Sequence, residues 1–90
     1  MSVTVYINKV YQPYCDGQET VKVEGKTVKE CLLNMIGQYP GLEKAIFTDR
    51  DKLHPLVEVY LNSSSAYPDP LTKKINDGDK IYLIHTLAGG

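Results

Sequence analysis

The fold is decided by the stretch Asn76-Asp77-Gly78-Asp79-Lys80-Ile81-Tyr82-Leu83-Ile84-His85-Thr86-Leu87-Ala88-Gly89-Gly90. Its Asn-Asp-Gly-Asp segment favours a tight turn with Gly78 at positive φ, and the alternation that follows predicts a strand over residues 80–84. Two glycines end the chain, and glycine, which lacks a Cβ, makes the thinnest peptide for a narrow pocket. The Gly90 carboxylate is therefore a candidate reactive group, with a flexible or remnant end as the alternative.

Three more strands are predicted upstream of this stretch. Residues 3–7 and 19–23 alternate between apolar and polar side chains, which is typical of half-buried strands. The loop between them, residues 9–18, contains Pro, Asp and Gly, so the two strands are expected to pair as a hairpin. Residues 56–61 form the third of these strands by the same pattern.

The main helix is predicted to begin with a capping box. The Thr27 hydroxyl accepts the Glu30 amide hydrogen, and the Glu30 carboxylate reaches back to the Thr27 amide. Apolar residues then recur with helical spacing, and Pro40 ends the helix. A short second helix is expected over 42–46 and a charged hairpin turn at 48–52, although the pattern leaves the structure of 42–54 open.

Composition excludes several classes of function. The 90 residues are 42% hydrophobic and 23% charged, with a net charge of −1, which is ordinary for a soluble globular protein. The chain has no excess of basic residues that would indicate binding to nucleic acid or to a membrane surface. Its apolar runs are too short to span a bilayer. The first residues lack a signal-peptide pattern, which predicts a cytoplasmic location.

The cysteines and histidines form no recognisable catalytic or metal-binding pattern. The spacing of Cys15 and Cys31 fits neither a disulfide framework nor a set of metal ligands. We expect Cys31 to be a small buried hydrophobe and Cys15 to be a free thiol in a polar loop. We expect His85 to be exposed at the end of the last strand and His54 to have no chemical role. No catalytic residue and no metal ligand is predicted.

The order of elements predicts an α+β fold. One main helix covers one face of a mixed four- to five-stranded sheet, with the first and last strands side by side in the middle. This arrangement is the ubiquitin-like β-grasp. Residues 1–90 are expected to form a single domain with a flexible tail at residues 86–90.

That strand order predicts a docking face. If the first, third and last strands adjoin, four residues share the outer face of the sheet: Tyr6, Tyr60, Tyr82 and Ile84. So much apolar area on a bare face is typical of an interface, and tyrosine suits one because it combines an apolar body with a polar tip. The alternative is that tyrosine merely favours strands. Tyr11 and Tyr14 are expected to extend the patch.

Several stretches resemble the MoaD/ThiS family of ubiquitin-like sulfur carriers, in the family's order. They are residues 27–32, Tyr39-Pro40-Gly41-Leu42, residues 57–62, and the stretch from Asn76 to Gly90. The resemblance covers nearly the whole chain. Where many members carry prolines before the tail, this chain has His85 and Thr86. Its longer segment at 42–54 favours the molybdopterin, cysteine or homocysteine branches over thiazole synthesis.

The resemblance implies a carrier rather than an enzyme. An adenylating enzyme of the ubiquitin-activating type would use ATP and Mg to convert the Gly90 carboxylate to an acyl-adenylate. A persulfide sulfurtransferase or sulfide would then form a thiocarboxylate. The acceptor would be a molybdopterin synthase large subunit or a cysteine- or homocysteine-forming enzyme. The chain itself would bind no cofactor, and its tail would enter the partner's active site: Thr86, Leu87, Ala88, Gly89 and Gly90.

Two alternatives share the predicted fold. The first is a protein modifier, in which the Gly90 acyl group ends on a lysine of a target protein. The second is a β-grasp binding module whose terminal glycines are incidental. The fate of Gly90 distinguishes the three, because a binding module would lose nothing when the last two residues are removed.

Overall fold

The computed structural model describes residues 2–49 and 52–86. Along the chain they form β1 (Ser2–Ile7), β2 (Thr20–Glu24), α1 (Val28–Gln38), α2 (Glu43–Ile46), β3 (Phe47–Asp49), β4 (Lys52–Leu53), β5 (Val57–Leu61), β6 (Ser64–Ser65) and β7 (Lys80–His85). Short 3-10 helices cover Gln12–Cys15, Pro40–Leu42 and Pro70–Thr72. Across these described ranges, no helix has the length and apolarity that a membrane crossing requires.

A five-stranded mixed sheet forms the centre of the fold, with its strands in the order β2-β1-β7-β5-β6. β1 and β7 are parallel neighbours, while β2 and β5 pair antiparallel on their outer sides. The α+β class, the first hairpin and the central position of the first and last strands are therefore confirmed. A strand pairs with its partner through backbone hydrogen bonds, so this order fixes which side chains share a face.

The edge strand β6 lies where the sequence predicts only a polar turn. Asn62 adopts φ 56°, a left-handed conformation that Asn tolerates better than most residues. The chain reverses there, and Ser64 and Ser65 pair with Leu61 and Tyr60. Pattern reasoning misses this strand because a two-residue serine segment has no alternation to detect.

Of the two hydrogen bonds predicted for the capping box of α1, the one accepted by the Thr27 hydroxyl is confirmed, and the one from the Thr27 amide to Glu30 is wrong. The Thr27 hydroxyl accepts the Glu30 amide hydrogen at 3.1 Å. The Glu30 carboxylate accepts from the Lys26 amide at 2.8 Å, one residue before the predicted Thr27 amide. The carboxylate therefore caps the chain just ahead of the helix. The helix ends at Gln38, with Tyr39 outside it, as Pro40 requires.

The core lies between α1 and the inner face of the sheet. Its largest fully buried side chains come from α1, the segment after it, and the central strands: Leu32, Met35, Leu42, Ile46, Ile81 and Leu83. Cys31 is buried on the helix as expected. Cys15 is a free thiol but not an exposed one, because its 3-10 turn places it in the core at 1% exposure.

Residues 43–49 form α2 and β3, and β4 pairs antiparallel with β3, in agreement with the expected short helix and hairpin. Residues 50 and 51 of the expected turn lie outside the described residues. The tight turn before β7 is also confirmed, with Gly78 at φ 86°. The Asp79 carboxylate accepts from the Asn76 amide at 2.7 Å and from the Asn62 side-chain amide at 3.2 Å. These bonds join the turn before β7 to the turn after β5, and they set the register of the two strands.

Candidate functional site

The outer face of the sheet carries a lateral row of three tyrosines. Tyr82 on β7 is in register with Tyr6 on β1 and with Tyr60 on β5. The Tyr6 and Tyr82 rings stack with centroids 4.6 Å apart and an interplanar angle of 15°. All three side chains are partly exposed. The row crosses the three central strands and so places three partly exposed aromatic side chains side by side on this face.

Ile84 lies one step further along β7 on the same face, in register with Glu58 of β5. The structure therefore brings together the four residues that the sequence assigned to a docking face. Core residues occupy the opposite face, while the side chains of the outer face stay partly or fully exposed. Docking by this face remains a prediction.

Charge is distributed unevenly around the tyrosine row. On one side, Thr4 is in register with Lys22 of β2 and Lys80 of β7, and both lysines are exposed. On the other side, Glu58 accompanies Ile84. Residues two apart on one strand lie about 7 Å apart along the same face. A partner that matches this face would therefore place acidic groups beside the lysines and apolar groups over the tyrosines.

The start of the predicted tail is hydrogen-bonded to Leu56, the residue just before β5. Thr86 donates its backbone amide to the Leu56 carbonyl at 2.8 Å, and its hydroxyl donates to the same oxygen at 3.1 Å. Thr86 thus lies against the sheet. The rest of the predicted tail, residues 87–90, lies outside the described residues, so the assignment of Gly90 as the reactive terminus remains a prediction.

His85 differs from the exposed strand end that the sequence predicts. It is half-buried at the inner face of β7, and its Nδ1 lies 2.9 Å from the Tyr11 hydroxyl. The two rings meet edge to face, 5.5 Å apart. Tyr11 itself is only 3% exposed. The expectation that Tyr11 extends the outer patch is therefore wrong, because the 3-10 turn of its loop directs it to the core side.

The sequence offers little to reveal this contact. Tyr11 and His85 lie 74 positions apart, and the loop around Tyr11 has no strand or helix periodicity. Tyr14, three residues later in the same turn, is 52% exposed. Spacing within the loop does not distinguish the buried tyrosine from the exposed one.

His54 also has a structural contact that the sequence does not predict. Its Nδ1 accepts from the Leu56 amide at 3.2 Å, and its carbonyl accepts from the Val57 amide at 2.9 Å. Its own amide donates to the Ile46 carbonyl at 2.7 Å. His54 therefore shapes the turn that presents the Leu56 carbonyl to Thr86.

Neither cysteine is placed as a nucleophile. Burial raises the pKa of the Cys15 thiol and of the Cys31 thiol above the ordinary value of 9.0, which disfavours the reactive thiolate. Among residues 2–49 and 52–86, no three His, Cys, Asp or Glu side chains lie close enough to hold a metal ion. The described site therefore consists of a partly exposed aromatic and apolar face of the sheet and of Thr86, which is hydrogen-bonded to the Leu56 carbonyl.

Comparison with known proteins gives matches along nearly the whole chain. The model of a family described as the ThiS family matches residues 5–90. Sulfur carrier protein CysO of Mycobacterium tuberculosis (strain ATCC 25618 / H37Rv) is 29% identical over 93 residues, which covers 100% of both chains. A chain of the Amycolatopsis orientalis BexX/CysO complex is 29% identical, with a TM-score of 0.84 over 98% of this chain and 99% of that one. SAMP1 from Haloferax volcanii is 26% identical, with a TM-score of 0.85 and 100% of both chains covered.

Proposed function

The chain belongs to the ThiS family, and on that premise we propose that it is a sulfur carrier whose Gly90 carboxylate is activated and converted to a thiocarboxylate. One observation carries the proposal: the family match extends through residue 90 and so includes the terminal Gly89-Gly90 pair. The curated relative named as a sulfur carrier, which aligns over the full length of both chains, supports it.

The proposed chemistry begins with an unreactive group. A carboxylate repels nucleophiles and has no good leaving group, so a partner enzyme must activate it. A Gly90 oxygen attacks the α-phosphorus of ATP and releases pyrophosphate, with magnesium held by the partner and the phosphates. Sulfide then attacks the acyl carbon of the adenylate, AMP leaves, and a proton is released. If the donor is a persulfide, the product is an acyl disulfide, and a second thiol must cleave its S–S bond.

In this proposal the chain is a carrier and co-substrate rather than a catalyst. The outer face, with Tyr6, Tyr60, Tyr82 and Ile84, docks the adenylating enzyme, and the tail reaches the nucleotide. Small tail residues suit a channel that must enclose an acyl-adenylate and exclude water. A methyl group on Gly89 or Gly90 would keep the tail from approaching the bound nucleotide closely in such a channel.

The sulfur acceptor is proposed only by class. A molybdopterin synthase large subunit or a cysteine- or homocysteine-forming enzyme would accept sulfur from the thiocarboxylate. The solved complex of CysO with BexX from Amycolatopsis orientalis, a similar chain, supports the general idea that such carriers bind partner proteins. The cytoplasmic location remains a prediction from the sequence.

A second candidate function is protein modification, in which a target lysine attacks the same Gly90 adenylate. The similarity to Haloferax volcanii SAMP1 favours this alternative, since relatives of that name are described as small archaeal modifier proteins. The two functions share activation and differ in the final acceptor. In sulfur transfer the chain stays unconjugated: its mass is raised only by the exchange of one oxygen for one sulfur in the thiocarboxylate, and it returns to the carboxylate when the sulfur is donated. Modification instead produces conjugates of much higher mass.

A pair of glycine substitutions tests the proposed function. Gly90→Ala should abolish ATP–pyrophosphate exchange by the adenylating enzyme encoded in the same genome, because the added methyl group obstructs the reacting carboxylate. Gly37→Ala is the matched control. An added Cβ at Gly37, near the end of α1, meets no atom within 4 Å, so exchange should persist and the helix should gain about 0.5–1 kcal/mol. Normal exchange by Gly90→Ala would contradict the proposal.

A further inference from the structure

The last described residues of the chain are held from both sides. β7 lies between β1 and β5 in the sheet. On the β5 side, the Leu56 carbonyl accepts two hydrogen bonds from Thr86. On the other side, Tyr11, in the loop that follows β1, contacts His85. We call these two contacts, Tyr11–His85 and Leu56–Thr86, the clasp.

The Tyr11 side of the clasp is rigidly built. The Tyr11 amide donates to the Asn8 carbonyl at 2.8 Å, and the Tyr11 carbonyl accepts from the Tyr14 amide at 3.0 Å. The Gln12 side chain ties the same loop to the Ile7 carbonyl at 3.0 Å. These hydrogen bonds hold the loop against the end of β1 and place the Tyr11 hydroxyl beside His85.

The Tyr11–His85 hydrogen bond is compatible with either tautomer of His85. A hydroxyl both donates and accepts. When Nδ1 is unprotonated, the Tyr11 hydroxyl donates to it; when Nδ1 carries a proton, it donates to the Tyr11 oxygen. Burial raises the pKa of Tyr11 above its ordinary value, so its hydroxyl stays protonated near neutral pH. A buried hydroxyl without a hydrogen-bond partner costs free energy, so the contact with His85 stabilises the buried Tyr11 hydroxyl.

The clasp limits where the chain end can go. Four residues follow Thr86, and four extended residues span at most about 14 Å. If His85 and Thr86 were released, two more residues would move freely and would have to be ordered before the terminal carboxylate met a nucleotide. That ordering opposes reaction through lost conformational entropy. Docking of the outer face alone does not remove this cost.

We infer that Tyr11, acting through His85, is a positioning residue that fixes the origin of the tail for adenylation. The inference rests on the proposed function and assigns to this loop a part in the reaction. The outer face and the clasp should therefore affect different kinetic constants, KM and kcat respectively. The outer face determines how tightly the partner binds, and the clasp determines how often a bound tail is correctly placed.

Tyr11→Phe and Tyr67→Phe form the matched test. Each removes one tyrosine hydroxyl, but Tyr11 is buried and contacts His85, whereas Tyr67 is 81% exposed and lies outside the tyrosine row. In ATP–pyrophosphate exchange with the adenylating enzyme of the same genome, Tyr11→Phe should lower kcat about tenfold and leave KM unchanged. Tyr67→Phe should match the wild-type chain in both constants. A wild-type kcat for Tyr11→Phe would overturn the inference.

Variants of His85 test whether the effect passes through the hydrogen bond. His85→Asn keeps a polar atom bonded to Cγ, where Nδ1 stands, and should retain most of kcat. His85→Leu should lower kcat as Tyr11→Phe does, and the double variant Tyr11→Phe/His85→Leu should lose no more than either single one. Losses that multiply in the double variant would overturn the inference, because they would show that the residues act separately.

Amide hydrogen exchange provides a readout without the enzyme. Tyr11→Phe should speed exchange of the Thr86 amide severalfold and leave core amides such as that of Val5 unchanged. A uniform acceleration over the core would mean general destabilisation and would overturn the positioning role. If the wild-type chain itself is not adenylated, the proposed function fails and the inference fails with it. If the wild type is adenylated and Tyr11→Phe equals it, the inference alone fails.

Discussion

Replacing Tyr82 with lysine tests the docking face at its centre. Tyr82 stacks on Tyr6 and is in register with Tyr60. Lysine retains a long side chain but removes the ring and adds a charge on the face that already carries Lys80. The substitution should therefore weaken the partner complex more than it weakens the fold.

The expected loss of folding stability is small, whereas the expected loss of binding free energy is larger. A stacked aromatic pair contributes about 0.5–1.5 kcal/mol, so the loss should lower Tm by about 4–8 °C for each 1 kcal/mol in a domain of this size. Domains have about 5–15 kcal/mol of stability, so the variant stays folded. Removing a central interface aromatic costs about 2 kcal/mol or more in binding, which is about a 30-fold rise in Kd.

Isothermal titration calorimetry with the adenylating enzyme measures the effect. Tyr67→Lys is the matched control: Tyr67 is 81% exposed and lines an open groove with Leu53 and Leu71, away from the tyrosine row. Tyr67→Lys should bind with the wild-type Kd. The reasoning is refuted if Tyr82→Lys is folded and binds as tightly as the wild type, or if both variants weaken binding equally.

The remaining predictions concern the fold around the site. Gly25→Ala should destabilise the protein by about 1–3 kcal/mol in urea unfolding, because its Cβ would lie 2.8 Å from the Cys31 amide nitrogen and 2.9 Å from the Glu30 Cβ; wild-type stability would contradict the packing. Cys15 and Cys31 should react with Ellman's reagent only as fast as the chain unfolds, and rapid reaction of the native protein would show that a thiol is accessible. Because burial raises both thiol pKa values, the folded state keeps protons that the unfolded state loses. This part of the stability is complete below pH 9.0 and falls as the pH rises above it; a constant urea midpoint between about pH 8 and pH 10 would refute that linkage.

The sheet and its outer face were predictable because alternation is a local signal. Tyr6, Tyr60 and Tyr82 each lie on a strand with clear period-two patterning, and strand order alone then places them side by side. The capping box of α1 was also readable, apart from the carboxylate of Glu30, whose reach depends on a rotamer. Local pattern thus fixed which face of the molecule is apolar and uncovered.

The clasp was not predictable because every one of its contacts is long-range. Tyr11 meets His85, and Thr86 meets Leu56, through loops whose shapes come from 3-10 turns and backbone bonds rather than from periodicity. The same reasoning explains the wrong expectation for Tyr11 and the burial of Cys15, which the sequence does not predict. Both lie in a segment whose polar residues suggest solvent, while its turn places Tyr11 and Cys15, four residues apart, in the core.

The central claim is that Gly90 carries sulfur, and intact-mass spectrometry tests it most directly. The untagged chain is incubated with ATP, magnesium, sulfide and the adenylating enzyme of the same genome, and its mass is then measured and localised by fragmentation. The account predicts a mass raised by the exchange of one oxygen atom for one sulfur atom, confined to Gly90 and absent without ATP. A chain that keeps its unmodified mass under these conditions, with an enzyme shown to be active, would contradict the account.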